Sequence, residues 1–247
     1  MKAYFSNALA TIIHGDCRDH LDRIKGNCLI ADPPYSQTRF KWDKWPEGWL
    51  ELARLCAPTL WIFLPVRVLL EKAAEFEPLV LAQDLIWEKQ NGTSLHNDRF
   101  RRVHENLYHF YSRDLKWKEV FHQAVYTMDA QRRRIQRQNK PAHWGQLSKP
   151  GFHEVAEGGP RHVRSVIYAK NSHRKSLHPT EKPIFILDYL VRYSCPTGGT
   201  VVDCFGGSGS TAVAASRLNI RSITIEADEQ YCEVAAKRLS QELQFPR

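Results

Sequence analysis

The tetrapeptide Asp32-Pro33-Pro34-Tyr35 is the part of this chain whose residue types and spacing most directly indicate chemistry. It follows the apolar run Cys28–Ala31, which predicts a buried strand ending in a stiff turn, because each proline fixes its own φ and restricts the preceding residue. Open α/β sheets bind ligands at the carboxyl ends of their strands. A carboxylate and a backbone carbonyl held there can accept both hydrogens of an exocyclic amino group, while the Tyr35 ring stacks on the base. The pattern favours group transfer to a base nitrogen, although a strand-to-loop turn with a capping Asp also fits it.

A second strand pattern, Val201–Asp203, runs into a glycine-rich turn and then into a helical pattern. Glycines let the backbone approach a ligand closely and open the amino terminus of a helix. The spacing is neither the dinucleotide fingerprint nor a P-loop, which disfavours phosphate binding. A third strand pattern, 221–225, ends in Glu226, an acid suited to two ribose hydroxyls, although a surface acid at a strand end is the alternative. Together these features favour a nucleoside site.

A third motif, His178-Pro179-Thr180-Glu181-Lys182-Pro183, precedes an apolar helical pattern. Taken alone it indicates a helix start, with Thr180 able to act as N-cap and Pro183 suited to the first turn. Its place between the two other motifs is what gives it a functional interpretation.

In this order, the three motifs resemble the beta group of S-adenosylmethionine-dependent DNA methyltransferases, which modify exocyclic amino groups. In that group the catalytic half precedes the cofactor half, and the Asp-Pro-Pro-Tyr form is typical of action on adenine N6. The resemblance runs from Ala10–Asp16 through His104–Phe110 to the last helix, and it leaves 113–175 without a motif. Ser210 departs from the Thr that usually ends the family's glycine turn, but its hydroxyl could still cap the helix.

The resemblance implies direct methyl transfer from S-adenosylmethionine to the N6 atom of a flipped adenine in double-stranded DNA, with no covalent enzyme intermediate. The catalytic residues would be Asp32, Pro33, Pro34 and Tyr35. For Asp16, an ordinary helix N-cap is an equally good role. The cofactor-binding residues would be Asp16, Cys17, His178, Thr180, Lys182, Asp203, Phe205, Gly206, Gly207, Ser208, Gly209, Ser210, Thr211 and Glu226.

The basic charge is concentrated in one segment. The 247-residue chain has a net charge of +8, and residues 113–175 hold 14 Lys and Arg against five acidic residues. Aromatic residues and histidine are interleaved with this charge, which favours a nucleic-acid surface over a solvated loop. A second basic and aromatic stretch follows the catalytic turn, where Trp42 or Trp45 could contact DNA or simply dock the next helix. The predicted DNA-binding residues are Arg39, Lys41, Arg132, Arg133, Arg134 and Arg137.

Strand patterns alternate with helical patterns, which predicts a mostly parallel, doubly wound, Rossmann-like α/β sheet with a circularly permuted motif order. Residues 106–111 are a candidate antiparallel strand. We expect a catalytic half at 1–112, an irregular basic target-recognition insertion at 113–175 and a cofactor-binding half at 176–247. The predicted strands are at about 10–15, 27–32, 59–64, 84–89, 106–111, 199–204 and 221–226, and the predicted helices at about 17–24, 47–56, 66–76, 183–195, 210–218 and 228–243.

Composition narrows the functional classes. No apolar run is long enough to cross a bilayer. The six cysteines lack Cys-x-x-Cys spacing, which favours reduced, buried thiols in a cytoplasmic protein, and the eleven histidines lack metal-ligand spacing, so no metal is expected. Three alternative functions stay open: methylation of cytosine N4, methylation of RNA, and nucleic-acid binding by a protein with a vestigial cofactor fold. Partnership with a second copy of the chain or with a restriction enzyme also stays open.

Overall fold

The computed structural model describes residues 2–36, 43–93, 98, 100–137, 151–170 and 181–244. Its residue contacts define two compact units, one formed by Met1–Gln123 with Ser165–Arg247 and the other by Ala124–Arg164. Arg39, Lys41, Trp42, His178 and Thr180, which the sequence analysis singled out, lie outside the described residues.

Thirteen strands and six helices are found in the described part of the chain. The strands are β1 (Phe5–Ser6), β2 (Ala10–His14), β3 (Cys28–Ala31), β4 (Thr59–Phe63), β5 (Leu79–Thr93), β6 (Arg102–Ser112), β7 (Tyr126–Thr127), β8 (Arg133–Arg137), β9 (Gly151–Val155), β10 (Arg161–His162), β11 (Val166–Ala169), β12 (Thr200–Asp203) and β13 (Arg221–Glu226). The helices are α1 (Trp49–Cys56), α2 (Val66–Glu71), α3 (Ala73–Phe76), α4 (Ile184–Ser194), α5 (Ser210–Arg217) and α6 (Glu229–Gln244), with 3-10 turns at Cys17–Asp19, Leu21–Arg23 and Trp117–Glu119.

The larger unit contains a nine-stranded sheet in the order β1-β2-β13-β12-β3-β4-β6-β5-β11. Five of its eight strand pairs are parallel, including the continuous run from β2 through β13, β12 and β3 to β4. Strands β12 and β13, from the carboxyl-terminal part of the chain, are inserted between β2 and β3 from the amino-terminal part. The prediction of a mostly parallel α/β sheet with a permuted order is confirmed.

Helices cover both faces of this sheet because residues along the buried strands alternate between two apolar clusters. On β2, Ile13 packs in a cluster with α1 residues such as Trp49 and Leu50. The neighbouring Ile12 packs on the other face, with residues of α5 and α6 such as Val213 and Leu239. The sheet is therefore doubly wound, as predicted.

Three segments differ locally from the predicted elements. Residues 17–24 form two 3-10 turns instead of one helix, and the predicted helix 66–76 is broken at Lys72, whose φ of −107° is not helical. The predicted antiparallel strand at 106–111 is confirmed, but it belongs to a longer β5–β6 hairpin. β5 and β6 extend beyond the apolar stretches that predicted them.

The smaller unit has more regular structure than the sequence indicated for the insertion. β8 pairs with β9, and β7 pairs with β10, each antiparallel. The expectation of little regular structure in 113–175 was wrong in these stretches, because strands of two to five residues with few apolar residues carry too weak an alternating signal to be predicted. β11, which the sequence analysis placed in the insertion, pairs with β5 at the edge of the large sheet.

All six cysteines lie in the described part of the chain, and each is buried and outside any disulfide, as predicted. No helix among the described residues is both long and apolar enough to cross a bilayer.

Candidate active site

The topology of the sheet brings four acidic side chains to one edge. Asp203 is the last residue of β12, Glu226 is the last residue of β13, Asp32 directly follows β3, and Asp16 lies two residues after β2. Because these four strands are adjacent and parallel, their carboxyl ends lie side by side. This is the edge at which open α/β sheets bind their ligands.

A cavity of about 860 Å³ opens at this edge. All four residues of the Asp-Pro-Pro-Tyr motif line it, as do eleven of the predicted cofactor residues, and the two sets thus share one space. Gly209 belongs to the glycine turn but does not line the cavity. The eleven lining residues from the cofactor set are Asp16, Cys17, Lys182, Asp203, Phe205, Gly206, Gly207, Ser208, Ser210, Thr211 and Glu226.

Asp32 is held by an ion pair with Lys182. The Lys182 ammonium donates to Asp32 Oδ2 at 2.5 Å and lies 3.4 Å from Glu105 Oε2. Lys89 pairs with the other oxygen of Glu105. Asp32 Oδ1 is buried and accepts no hydrogen bond from any described residue. Burial raises the pKa of the Asp32 carboxyl, and the Lys182 charge acts in the opposite direction.

Tyr35 lies beside this carboxylate. The negative charge of Asp32, together with burial, raises the pKa of the Tyr35 phenol well above its usual range. The ring therefore stays neutral at any working pH, which suits a side chain that stacks on a base.

Asp203 is a buried acid at the root of the glycine turn. Its Oδ1 accepts from the Phe205 amide at 3.0 Å, and the Thr211 side chain also hydrogen-bonds to it. Burial, with smaller effects from Asp32 and Glu226, raises the Asp203 pKa from its ordinary 3.8 to about 6. Asp203 therefore titrates close to neutral pH inside the cavity.

Glu226 connects the tip of β13 to the glycine turn. Its Oε2 accepts from the Gly207 amide at 2.6 Å, and its Oε1 accepts from the Asp228 amide at 2.8 Å. Burial raises the pKa of the Glu226 carboxyl. An ionised carboxylate offers about four acceptor positions, so Glu226 can hold these amides and still accept from a pair of hydroxyls.

Two glycines of the turn are required by packing against the protein itself. A Cβ on Gly206 would lie 2.1 Å from the Thr224 side chain, and one on Gly209 would lie 2.9 Å from Ala235 of α6. Gly209 also has a φ of +76°, a conformation that L side chains rarely adopt. These glycines let the turn sit tightly on β13 and α6, and this places its other residues at the cavity.

Arg238 of α6 forms hydrogen bonds with residues at the end of the glycine turn. Its guanidinium donates to Ser210 Oγ at 3.1 Å, to Ser208 at 3.3 Å and to Glu181 Oε1 at 2.7 Å. Ser210 is the first residue of α5, follows a glycine N-cap and donates to Glu181 at 3.4 Å. The expectation that Ser210 caps the helix was therefore wrong, because its hydroxyl is engaged by these charged groups.

Asp16 does cap the chain that follows it. Its Oδ1 accepts from the Arg18 amide at 2.9 Å, and its two oxygens bind the Arg18 guanidinium at 2.9 and 2.6 Å. These contacts with Arg18 lower the pKa of the Asp16 carboxyl. Cys17, the next residue, is buried at the cavity wall.

The predicted DNA-binding arginines lie in the smaller unit. Arg132, Arg133 and Arg134 are exposed at and just before the start of β8. The Arg132 guanidinium lies 3.7 Å from Glu154, and β8 also contains Arg137. Adjacent residues of a strand face opposite sides, so Arg133 and Arg134 do not form a single-sided patch.

Trp45 serves as a packing residue. Its ring makes an edge contact with Trp49 at 5.8 Å between centroids, and its indole NH donates to the Glu75 carboxylate at 3.0 Å. It also lines the cavity. These contacts favour the interpretation that it docks α1.

Sequence reasoning predicted no role for four charged residues that contact the predicted site residues or one another: Glu105, Lys89, Arg238 and Glu181. Glu181 lies inside the third motif, and Glu105 was noticed only as part of the segment His104–Phe110. Among the described residues, no cluster of three or more His, Cys, Asp or Glu side chains forms a candidate metal site.

The chain matches the model of the N6_N4_Mtase family, described as DNA methylase, over residues 27–237. It belongs to this DNA methylase family. Its substrate class is therefore DNA. Two type II methyltransferases are related along nearly the whole chain. M2.LlaDCHI of Lactococcus lactis subsp. cremoris is 24% identical, covering 97% of this chain and 92% of its own length. M2.DpnII of Streptococcus pneumoniae is 25% identical, and the match covers 98% of this chain and 93% of its own length.

Solved structures share the fold of this family member. The M1.HpyAVI–SAM complex superposes with a TM-score of 0.61 at 23% identity, over 93% of this chain and 100% of that chain. The cytosine-N4-specific PvuII DNA methyltransferase also gives a TM-score of 0.61, at 15% identity over 96% of this chain and 88% of that chain. The fold is thus shared with a cytosine-N4-specific methyltransferase, so it does not identify the target base of this chain.

Proposed function

We propose that this DNA methylase transfers a methyl group from S-adenosylmethionine to the N6 atom of an adenine flipped out of DNA. One observation carries the proposal. Asp32 lines the same cavity as the glycine turn, and its Oδ1 is a buried carboxylate oxygen that accepts no hydrogen bond from any described residue. A buried acceptor without a donor is costly, and an exocyclic amino group supplies the donor that it lacks.

The residues around the glycine turn suit the proposed cofactor. Glu226 retains acceptor positions for ribose hydroxyls, and Asp203 places a buried carboxyl on the same cavity. The solved complex of M1.HpyAVI with SAM, which has the same fold, supports this assignment. When bound, S-adenosylmethionine supplies an electrophilic methyl carbon, whose bond to sulfur breaks as the bond to nitrogen forms and leaves its electron pair on sulfur.

The side chains of the catalytic turn would act on the amino nitrogen. Its lone pair is conjugated into the base and is a poor nucleophile. Asp32 Oδ1 and the Pro33 carbonyl can accept its two hydrogens, which favours a tetrahedral nitrogen and offsets the positive charge that develops during transfer. The rigid turn holds both acceptors in place, and Tyr35 stacks on the flipped base. The nitrogen then loses one proton, for which Asp32 is the adjacent acceptor.

The choice of adenine N6 rests on the Asp-Pro-Pro-Tyr form of the motif. The same acceptors would serve cytosine N4, the base atom for which the PvuII enzyme is specific. Incubating the protein with DNA and methyl-labelled cofactor, followed by digestion to nucleosides and chromatography, decides between them. We expect N6-methyldeoxyadenosine from the wild type, and about 100-fold less or lower still from the D32A variant. N4-methyldeoxycytidine would overturn the base assignment. Cofactor binding without any transfer would indicate a vestigial enzyme.

We further propose a role in a restriction-modification pair, because both relatives are named type II methyltransferases. Residues 113–175 would form the target-recognition insertion between a catalytic half at 1–112 and a cofactor half at 176–247. A cytoplasmic location and a homodimer stay predictions. Light scattering on the purified protein tests the dimer, and modification-sensitive sequencing of DNA from an expressing host identifies the target sequence.

A further inference from the structure

Four charged side chains form a buried cluster behind the catalytic turn. We call Asp32, Glu105, Lys89 and Lys182 the charge cluster. Its two ammonium groups and two carboxylates balance in formal charge. Lys182 is 7% exposed, while Asp32 and Glu105 are 20% and 22% exposed. Charges that are this buried are retained only when they are paired.

The four residues reach the same place from distant parts of the chain. Asp32 follows β3, and Lys182 immediately precedes Pro183, the N-cap of α4. β6 runs antiparallel to β4, so its amino end, with Glu105, lies at the carboxyl edge of the sheet. β5 runs antiparallel to β6, and this returns Lys89 to the same edge. The cluster is therefore a product of the fold and does not arise from one local motif.

Lys182 is held on three sides. Its ammonium contacts Asp32 at 2.5 Å and Glu105 at 3.4 Å, and it lies 4.9 Å from the centre of the Phe63 ring. Burial alone would lower the pKa of this ammonium, but the two carboxylates outweigh it and raise the pKa above the ordinary range of lysine. Lys182 is therefore a permanent positive charge.

The contact with Lys182 differentiates the two oxygens of Asp32. Oδ2 is occupied by the ammonium, whereas Oδ1 accepts nothing from the described residues. A carboxylate anchored through one oxygen cannot rotate freely. Its second oxygen is then presented in a fixed direction, which is the preorganisation that transition-state stabilisation requires.

We propose that Lys182 is a positioning residue for methyl transfer, which anchors Asp32 as an anion through Oδ2 and leaves Oδ1 for the target amino group, and that Glu105, which also contacts Lys182, tunes this charge. This inference rests on the proposed function. It differs from the sequence-based assignment of Lys182 to the cofactor, because the ammonium contacts the catalytic carboxylate.

Several charged groups face Asp32. Lys182 and Lys89 stabilise its anion, whereas Glu105 destabilises it. Two further acids, Tyr35 and Asp203, are coupled to it electrostatically. Removing Lys182 should therefore make Asp32 harder to ionise, and removing the charge of Glu105 should make it easier. Shifts of the Asp32 pKa in opposite directions in the two variants indicate charge tuning, because loss of packing alone gives no reason for shifts of opposite sign.

The test is the pH dependence of single-turnover methyl transfer in K182M, K182R and E105Q. In K182M we expect the rate at neutral pH to fall about 100-fold or more, and the acidic limb of the profile to move up by about one pH unit or more. E105Q should move that limb downward. K182R keeps the charge and should restore much of the low-pH activity. K237M, which removes an exposed lysine paired with Glu233, is the matched control and should behave like wild type.

A second measurement does not depend on DNA. Carbon-13 labelling of aspartate carboxyls, with the Asp32 resonance assigned by its loss in D32N, reports the ionisation of Asp32 directly. Its titration should move up in K182M and down in E105Q, with cofactor affinity within about threefold of wild type as judged by calorimetry. Unchanged titration in both variants, or a K182M defect confined to cofactor affinity, overturns the proposal. If wild type transfers no methyl group to DNA, the proposed function fails, while the Asp32 titration still tests the cluster.

Discussion

Asp203 gives a prediction whose size can be worked from the structure. Its carboxyl is 7% exposed and has a pKa of about 6 in the folded chain, raised mainly by burial from the ordinary 3.8. Asp203→Asn is close to isosteric and keeps the Oδ1 acceptor for the Phe205 amide. The Thr211 hydroxyl can turn to accept from the new amide. The substitution therefore removes the titration with little change in packing.

The sign of the effect follows from linkage. A raised folded pKa means that the folded chain binds the Asp203 proton more tightly than the unfolded chain does. The stability that this proton contributes is fully present below pH 3.8 and is lost as pH rises through about 6. The difference between 3.8 and about 6 corresponds to on the order of 3 kcal/mol. At pH values above about 6, the difference in the free energy of unfolding between wild type and D203N should be constant.

Urea unfolding of the cofactor-free protein at several pH values between 4 and 8 measures this effect. The free energy of unfolding of D203N, relative to wild type, should rise with pH across the window and then level off. Titrating groups distant from Asp203 cancel in this difference, whereas Asp32 and Glu226, which are coupled to it, contribute to the difference. D22N, which makes the same substitution at an exposed acid outside the cavity, is the matched control. Parallel pH curves for wild type and D203N would refute the buried, raised-pKa description of Asp203.

Three further predictions concern the proposed reaction. Asp32→Ala should reduce methyl transfer about 100-fold or more while calorimetry shows nearly unchanged cofactor affinity, and turnover within about tenfold of wild type would contradict its role. Glu226→Ala should weaken cofactor binding by about 1–3 kcal/mol, whereas unchanged affinity would place the ribose elsewhere. Neutralising Arg132, Arg133 and Arg134 together should weaken binding to all DNA sequences and flatten the dependence of log affinity on log salt, and selective loss of one sequence would show that they read bases instead.

The acidic edge of the sheet was accessible from the sequence because its signals are local. An apolar run followed by an acid marks a buried strand and its carboxyl end, as at Cys28–Asp32 and Val201–Asp203. Parallel strands require no register to be known for such acids to meet, since all carboxyl ends fall on one edge. The same rule applies to Glu226 at the end of β13, which the structure places opposite His14 of the neighbouring β2.

Glu105 and Lys89 could not be placed in this way because they depend on pairing register. Glu105 lies near the amino end of an antiparallel strand, where it reaches the carboxyl edge only because β6 runs against β4. Lys89 contacts Glu105 through a hairpin whose strands extend well past the apolar residues that predicted them. The antiparallel direction of this strand was predicted, but its pairing register is not encoded in the spacing of a few residues.

The contact made by Lys182 of the third motif also could not be predicted from the sequence. Lys182 lines the cavity, since α4 packs against β3 and α5 and so brings the residues before it to the end of β3. Which group the ammonium contacts there was not readable, because Asp32 is 150 residues away in the chain. The cofactor assignment followed the motif, whereas the geometry joins Lys182 to the catalytic carboxylate. The position of the motif pointed to the site, and only the packing of α4 on the sheet showed that Asp32 is the partner of Lys182. The acidic limb of the pH profile is expected to move in opposite directions in K182M and E105Q. That pair of shifts therefore tests the structure more sharply than loss of activity alone.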